Sequence, residues 1–127
     1  MDIGILTGGG DCPGLNAAIR AAVRRASSLG WTVVGFRDGW RGVLDRDTWP
    51  LTVESTDGTL AVGGTLLGSS RTNPLRDAQE YARALSVFED LGLDGLIAIG
   101  GDDTLSVAGG LARDGKPVVG IDRKSVV

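Results

Sequence analysis

Ile97-Ala98-Ile99-Gly100-Gly101-Asp102-Asp103-Thr104 carries an apolar run, begun at Leu96, into two glycines, two adjacent acids and a threonine. A helical spacing of apolar residues follows. Strand, glycine turn and helix start together form the way an α/β sheet presents a ligand site at the carboxyl end of a strand. A Gly-Gly pair lets a phosphate approach the backbone with no Cβ in the way. Amides at the following helix N-terminus favour an anion, and Asp102 can bring a divalent cation to it. The chemistry of the chain is concentrated here.

Working outward, the same order recurs upstream. Asp2 to Thr7 is a short apolar run that reads as a first strand, and Gly8-Gly9-Gly10-Asp11-Cys12-Pro13-Gly14 is a loop by composition. Residues 15, 18, 19, 22, 23, 26 and 29 are apolar at helical spacing, so a helix is expected over Leu15–Leu29, with Asn16 near its start as a cap and Gly30 as its stop. Trp31 to Phe36 reads as a second strand. Strand, helix and strand within about thirty-five residues make a βαβ unit, which implies parallel pairing. Asp38-Gly39-Trp40 reads as a turn, and Trp49-Pro50-Leu51 as extended chain. Thr59 to Thr72 holds glycine-broken pieces ending in Gly68-Ser69-Ser70-Arg71, closed by Asn73-Pro74. Further elements are expected as a helix over Arg76–Leu91, a strand over Leu93–Ile99, a helix over Asp103–Arg113 and a strand over Lys116–Ile121. The expected fold is a doubly wound, mostly parallel α/β sheet with helices on both faces. Its loops at 8–14, 68–73 and 100–104 would meet in one crevice.

Composition narrows the function classes. A chain of 127 residues allows one domain, and 42% hydrophobic with 23% charged residues describes a soluble globular chain rather than a disordered one. A net charge of −3 leaves no basic stripe to neutralise a nucleic-acid backbone. Arg20, Arg24 and Arg25 read as a solvated helix face. The one cysteine, Cys12, excludes an internal disulfide, and its setting does not suggest a nucleophile. No secretory signal or membrane span is expected from the first residues onward, so the expected compartment is the cytoplasm. The absence of histidine removes imidazole acid–base work and imidazole metal sites.

Each candidate site residue also has a plain structural reading. The Gly8–Asp11 loop matches neither G-x-G-x-x-G nor G-x-x-x-x-G-K-[ST] and can serve tight packing alone. Asp102 and Asp103 can be ordinary first-turn helix acids, although two adjacent carboxylates ask for solvent, a helix N-terminus or a metal. Arg71 can reach phosphate oxygens through its planar fork or be an exposed loop arginine. Trp40, between Gly39 and Gly42, can be a stacking surface or a packed aromatic. What remains is phosphate-directed chemistry.

Four motifs then point to a family. They are L-T-G-G-G-D-C-P-G-L-N-A-A-I-R from Leu6, D-G-W-R-G from Asp38, G-G-T-L-L-G-S-S-R-T from Gly63 and I-G-G-D-D-T-L from Ile99. In this order and spacing they resemble the N-terminal part of the 6-phosphofructokinases, over Asp2 to Ile121. The resemblance implies a Rossmann-like domain over residues 1–121 and transfer of a phosphoryl group, with Mg²⁺, to the 1-hydroxyl of fructose 6-phosphate in glycolysis. It implies that Gly10, Thr72, Gly101 and Thr104 contact donor phosphates, that Arg71 bridges them, that Asp102 is associated with Mg²⁺, and that Trp40 lies near a nucleotide. It also implies an assembly of identical subunits for the full-length protein.

Two departures matter. ATP-dependent members resemble G-G-D-G where this chain has Asp103, and pyrophosphate-dependent members resemble G-G-D-D. Asp103 adds bulk and charge where ATP would bring a further phosphate, so pyrophosphate is the expected donor and ATP the alternative. After Val119-Gly120-Ile121 the family continues with proline and T-I-D-N-D, whose first aspartate is the catalytic base; here the chain reads D-R-K-S-V-V. Residues 122–127 are therefore read as a non-native tail, and the 127-residue polypeptide is expected to be inactive alone and to expose apolar sheet surface. Two other readings stand beside this one: a kinase of the NAD or lipid type with a G-G-D-G-T turn, and a non-catalytic phosphate- or nucleotide-binding module.

Overall fold

The computed structural model describes residues 1–8, 15–56, 67 and 73–122. In chain order these form β1 (Asp2–Thr7), α1 (Leu15–Ser28), β2 (Thr32–Phe36), α2 (Trp40–Asp45), β3 (Thr48–Leu51), α3 (Val53–Thr56), a 3₁₀ turn (Pro74–Arg76), α4 (Ala78–Asp90), β4 (Gly95–Gly100), α5 (Asp102–Arg113) and β5 (Val118–Asp122). Among the described residues the strands make one sheet of order β3-β2-β1-β4-β5. β1 pairs in parallel with β2 and with β4, β4 pairs in parallel with β5, and β3 runs antiparallel on the far edge.

Strand alternation sorts the core into two layers. Leu6, Phe36, Leu96 and Ala98 face α2, α4 and α5, while Ile5, Val33 and Ile99 face α1. Ile5 and Leu6 at β1 and Ala98 and Ile99 at β4 are at most 1% exposed, so the two central strands are covered on both faces. Each large apolar side chain buried this way contributes about 1.5–3 kcal/mol. The expected doubly wound architecture is therefore present.

The α1 layer is incomplete. Ile97 and Ile121 are half-buried and Val119 is 61% exposed, beside an apolar groove of about 430 Å³ that also takes in Ala22 and Trp31.

Several boundaries differ from expectation, each for a local reason. Asn16 is the buried second residue of α1 rather than its cap, and Leu29, outside the helix, is 43% exposed. α4 starts at Ala78 because the Asp77 carboxylate accepts the Gln79 N–H at 2.8 Å and caps it. β5 extends to Asp122, which pairs with Gly100. The segment after β2 holds the expected turn and, in β3, the expected extended piece, together with two short helices that were not expected. Asp38 and Gly39, with φ of 57° and 65°, make the turn. Arg41 then holds α2 in place, donating to Asp45 at 2.7 Å, Asp38 at 2.6 Å and Asp47 at 3.3 Å. Pro50 sits in the edge strand β3, where a missing N–H costs little.

The single tyrosine ties α4 to the end of α5 through its hydroxyl, which donates to Asp114 at 2.5 Å. Burial first, and then Asp114, push the Tyr81 phenol up to about 12 from 10. The neutral phenol is favoured in the folded state, so this contribution to stability is complete below pH 10 and lost as pH rises toward about 12. Ultraviolet titration of tyrosinate is expected to give a midpoint above 10, falling on Asp114→Asn. An unshifted midpoint would contradict the contact.

Candidate active site

β1 and β4 are neighbours in the middle of the sheet, and Thr7 pairs with Ile99. Their carboxyl ends therefore open on the same edge, and the Gly8 N–H extends the ladder by donating to the Ile99 carbonyl at 2.8 Å. β4 passes through Gly100 to Gly101, the N-cap of α5, which is extended at φ −95° and ψ −160° and offers no side-chain cap. The first intrahelical bond there is from the Leu105 N–H to the Gly101 carbonyl at 3.0 Å. The amides that begin α5 have no carbonyl partner within the helix, an arrangement that favours an anion at a helix N-terminus.

Asp102 and Asp103 occupy the first turn of α5, and both are exposed. Thr104 is 4% exposed and turned inward. The hydroxyl expected to face a phosphate thus lies against the protein, while the two carboxylates lie open at the strand end. Val107, Ala108 and Leu111 on the same helix are buried against the sheet, which fixes the turn that carries the acids.

Trp40 was open to two readings, and its burial favours the packed aromatic. It begins α2, is 3% exposed and belongs to the core layer with Leu6 and Phe36. Its indole Nε1 is buried without a hydrogen-bond acceptor among the described residues. Gly10, Arg71 and Thr72 lie outside the described residues, as do most of the loops at 8–14 and 68–73. Of the three loops expected to meet, the structure therefore places Gly8 and residues 100–104 together. Sequence reasoning missed the contact of Thr104 with Gly8. The glycines at strand ends, in a chain with 21 glycines in all, were the available signal.

The donor set suits Mg²⁺ in one specific manner. Among the described residues no group of three or more His, Cys, Asp or Glu side chains could enclose a metal. Mg²⁺ does not require one, because it keeps several waters and is commonly held by one or two carboxylates together with substrate phosphates. An exposed Asp102 in the first turn of α5 suits that manner of holding. No helix among the described residues is long and apolar enough to cross a membrane.

Comparison with known proteins agrees with this geometry. A pyrophosphate–fructose 6-phosphate 1-phosphotransferase of Dictyoglomus thermophilum is 50% identical over 123 residues, covering 97% of this chain and 36% of the relative. An ATP-dependent 6-phosphofructokinase 3 of Streptomyces coelicolor is 52% identical over 126 residues, with the same shares. Among solved structures, phosphofructokinase from Saccharomyces cerevisiae aligns with a TM-score of 0.81 at 29% identity, over 95% of this chain and 20% of that one. The chain thus spans 36% of the length of the curated relatives it matches. The phosphofructokinase family model matches residues 2–123, and the chain belongs to that family.

Proposed function

We propose that the whole protein transfers a phosphoryl group from pyrophosphate to the 1-hydroxyl of fructose 6-phosphate, giving fructose 1,6-bisphosphate, and that this chain supplies the donor side of the site. The observation that carries the proposal is the β4–α5 turn, with two glycines, helix-start amides that have no partner within the helix and the exposed pair Asp102 and Asp103. Phosphoryl transfer depends on positioning and charge neutralisation, and those groups supply both at the donor.

Asp102 and the donor's own oxygens would hold Mg²⁺, which neutralises charge on the donor phosphates when bound. The Gly101 backbone admits the terminal phosphates closely. Arg71, Gly10 and Thr72 are assigned to the donor by motif, with Arg71 bridging its phosphates. Asp103 stands where a longer donor would carry a further phosphate and disfavours ATP by charge and volume. The relatives support both the reaction class and this donor, since the D. thermophilum protein is named for pyrophosphate. The S. coelicolor relative keeps ATP as the alternative donor. Cytoplasmic location and assembly of identical subunits complete the proposal.

The experiment is a product assay on the whole protein with Mg²⁺, fructose 6-phosphate and pyrophosphate. Fructose 1,6-bisphosphate and orthophosphate formed in equal amounts are expected. Binding of pyrophosphate with no product would favour the non-catalytic module instead.

A further inference from the structure

We infer that Thr104 is a positioning residue that sets the spacing of Gly8 and Gly100 at the ends of β1 and β4, rather than a hydroxyl held out to the donor. A Cβ placed on Gly8 would lie 2.2 Å from Thr104 Oγ1, and one placed on Gly100 would lie 2.6 Å from the same oxygen. The hydroxyl is therefore seated in the notch between the two glycine Cα atoms, at the ends of the paired strands β1 and β4. At Gly8 the remaining atoms are farther off, with Thr104 Cγ2 at 3.2 Å and Cβ at 3.3 Å. At Gly100 the obstruction is deeper: Thr104 Cβ is at 2.7 Å and the Gly8 carbonyl oxygen at 2.8 Å.

These contacts make one interlocked unit. Gly8 is held on β4 by its N–H bond to Ile99, and the first turn of α5 sets Thr104 against both glycines. Gly8 at the end of β1 and the turn that bears Asp102 thus share one spacer. Interior packing transmits such a spacing because it is close and poorly compressible. The catalytic part of the inference rests on the proposed donor site, where a displacement of about 1 Å can cost about 10²-fold in rate.

The test is a set of variants in the whole protein, read by thermal unfolding and by the kinetics of each substrate. Gly8→Ala is expected to lower kcat/KM for pyrophosphate by about 10²-fold and to lower the unfolding temperature. Thr104→Ala alone is expected to raise the KM for pyrophosphate several-fold, leaving the KM for fructose 6-phosphate much less affected. Thr104→Val, which keeps the shape of the spacer, is expected to lose less than Thr104→Ala. Adding Thr104→Ala to Gly8→Ala removes the 2.2 Å obstruction and should restore both stability and donor kinetics most of the way to the Thr104→Ala level.

The same addition should not rescue Gly100→Ala, because the 2.7 Å and 2.8 Å contacts remain. If Gly8→Ala does not fold, recovery of folded protein on adding Thr104→Ala becomes the reading. No rescue of Gly8→Ala, equal rescue of Gly100→Ala, or a larger loss from Thr104→Val than from Thr104→Ala would each overturn the inference. The unfolding measurements report on the interlock even if the wild-type protein shows no pyrophosphate chemistry, so the two readings fail separately.

Discussion

Replacing Asp102 with alanine in the whole protein is expected to lower kcat with pyrophosphate by about 10²–10³-fold, the scale found when one electrostatic partner of a transition state is removed. The side chain is exposed in the first turn of α5 and makes no packing contribution that its loss would forfeit. A first-turn acid is worth about 0.3–1 kcal/mol to a helix, so the unfolding temperature should fall only slightly. A large kinetic loss in a stable variant separates a role at the donor from a capping role. The apparent requirement for Mg²⁺ should rise in parallel. A kcat within about threefold of wild type would reduce Asp102 to an ordinary helix-start acid, on the same scale.

The second large effect is on donor choice. Asp103→Gly is expected to raise kcat/KM for ATP by at least about tenfold and to lower it for pyrophosphate. Two like charges about 4 Å apart repel by on the order of 1–4 kcal/mol between bulk water and a protein surface. Since 1.4 kcal/mol corresponds to about tenfold, relief of that repulsion supplies much or all of the change, and the gain in space adds to it. Asp103 is exposed and adjoins the glycine turn, so the substitution removes charge and bulk with little disturbance of the core. Unchanged use of ATP would place donor selection elsewhere in the protein.

Much of the frame was legible in the residues because the central strands and long helices have clean periods. Leu96 to Ile99 ends at Gly100, and the residues after it repeat at helical spacing, so β4, its turn and α5 follow from local pattern. The first βαβ unit is readable for the same reason. Within residues 37–56 the turn at Asp38-Gly39 and the extended chain at Trp49–Leu51 were readable, while α2 and α3, of six and four residues, are too short for a period to show. Arg41 is held by acids three, four and six positions away, and β3 exists through pairing with β2. Val119 looked like any other strand residue, but its face of the sheet has no cover over β5.

The site shows a similar division. The glycines at strand ends signalled close approach, and a phosphate was the partner they suggested. At Gly8 and Gly100 the structure supplies another partner, the Thr104 side chain, which nothing in the spacing could reveal. Trp40 was equally ambiguous in sequence, since an aromatic in a turn can stack or pack. Its place beside Leu6 and Phe36 is a product of tertiary structure.

The most direct measurement is steady-state kcat/KM of the whole protein for pyrophosphate and for ATP, with Mg²⁺ and saturating fructose 6-phosphate. Fructose 1,6-bisphosphate is expected from both or from pyrophosphate alone, with pyrophosphate preferred by about tenfold, the scale of repulsion at Asp103. A preference for ATP, or no fructose 1,6-bisphosphate from either donor, would contradict it.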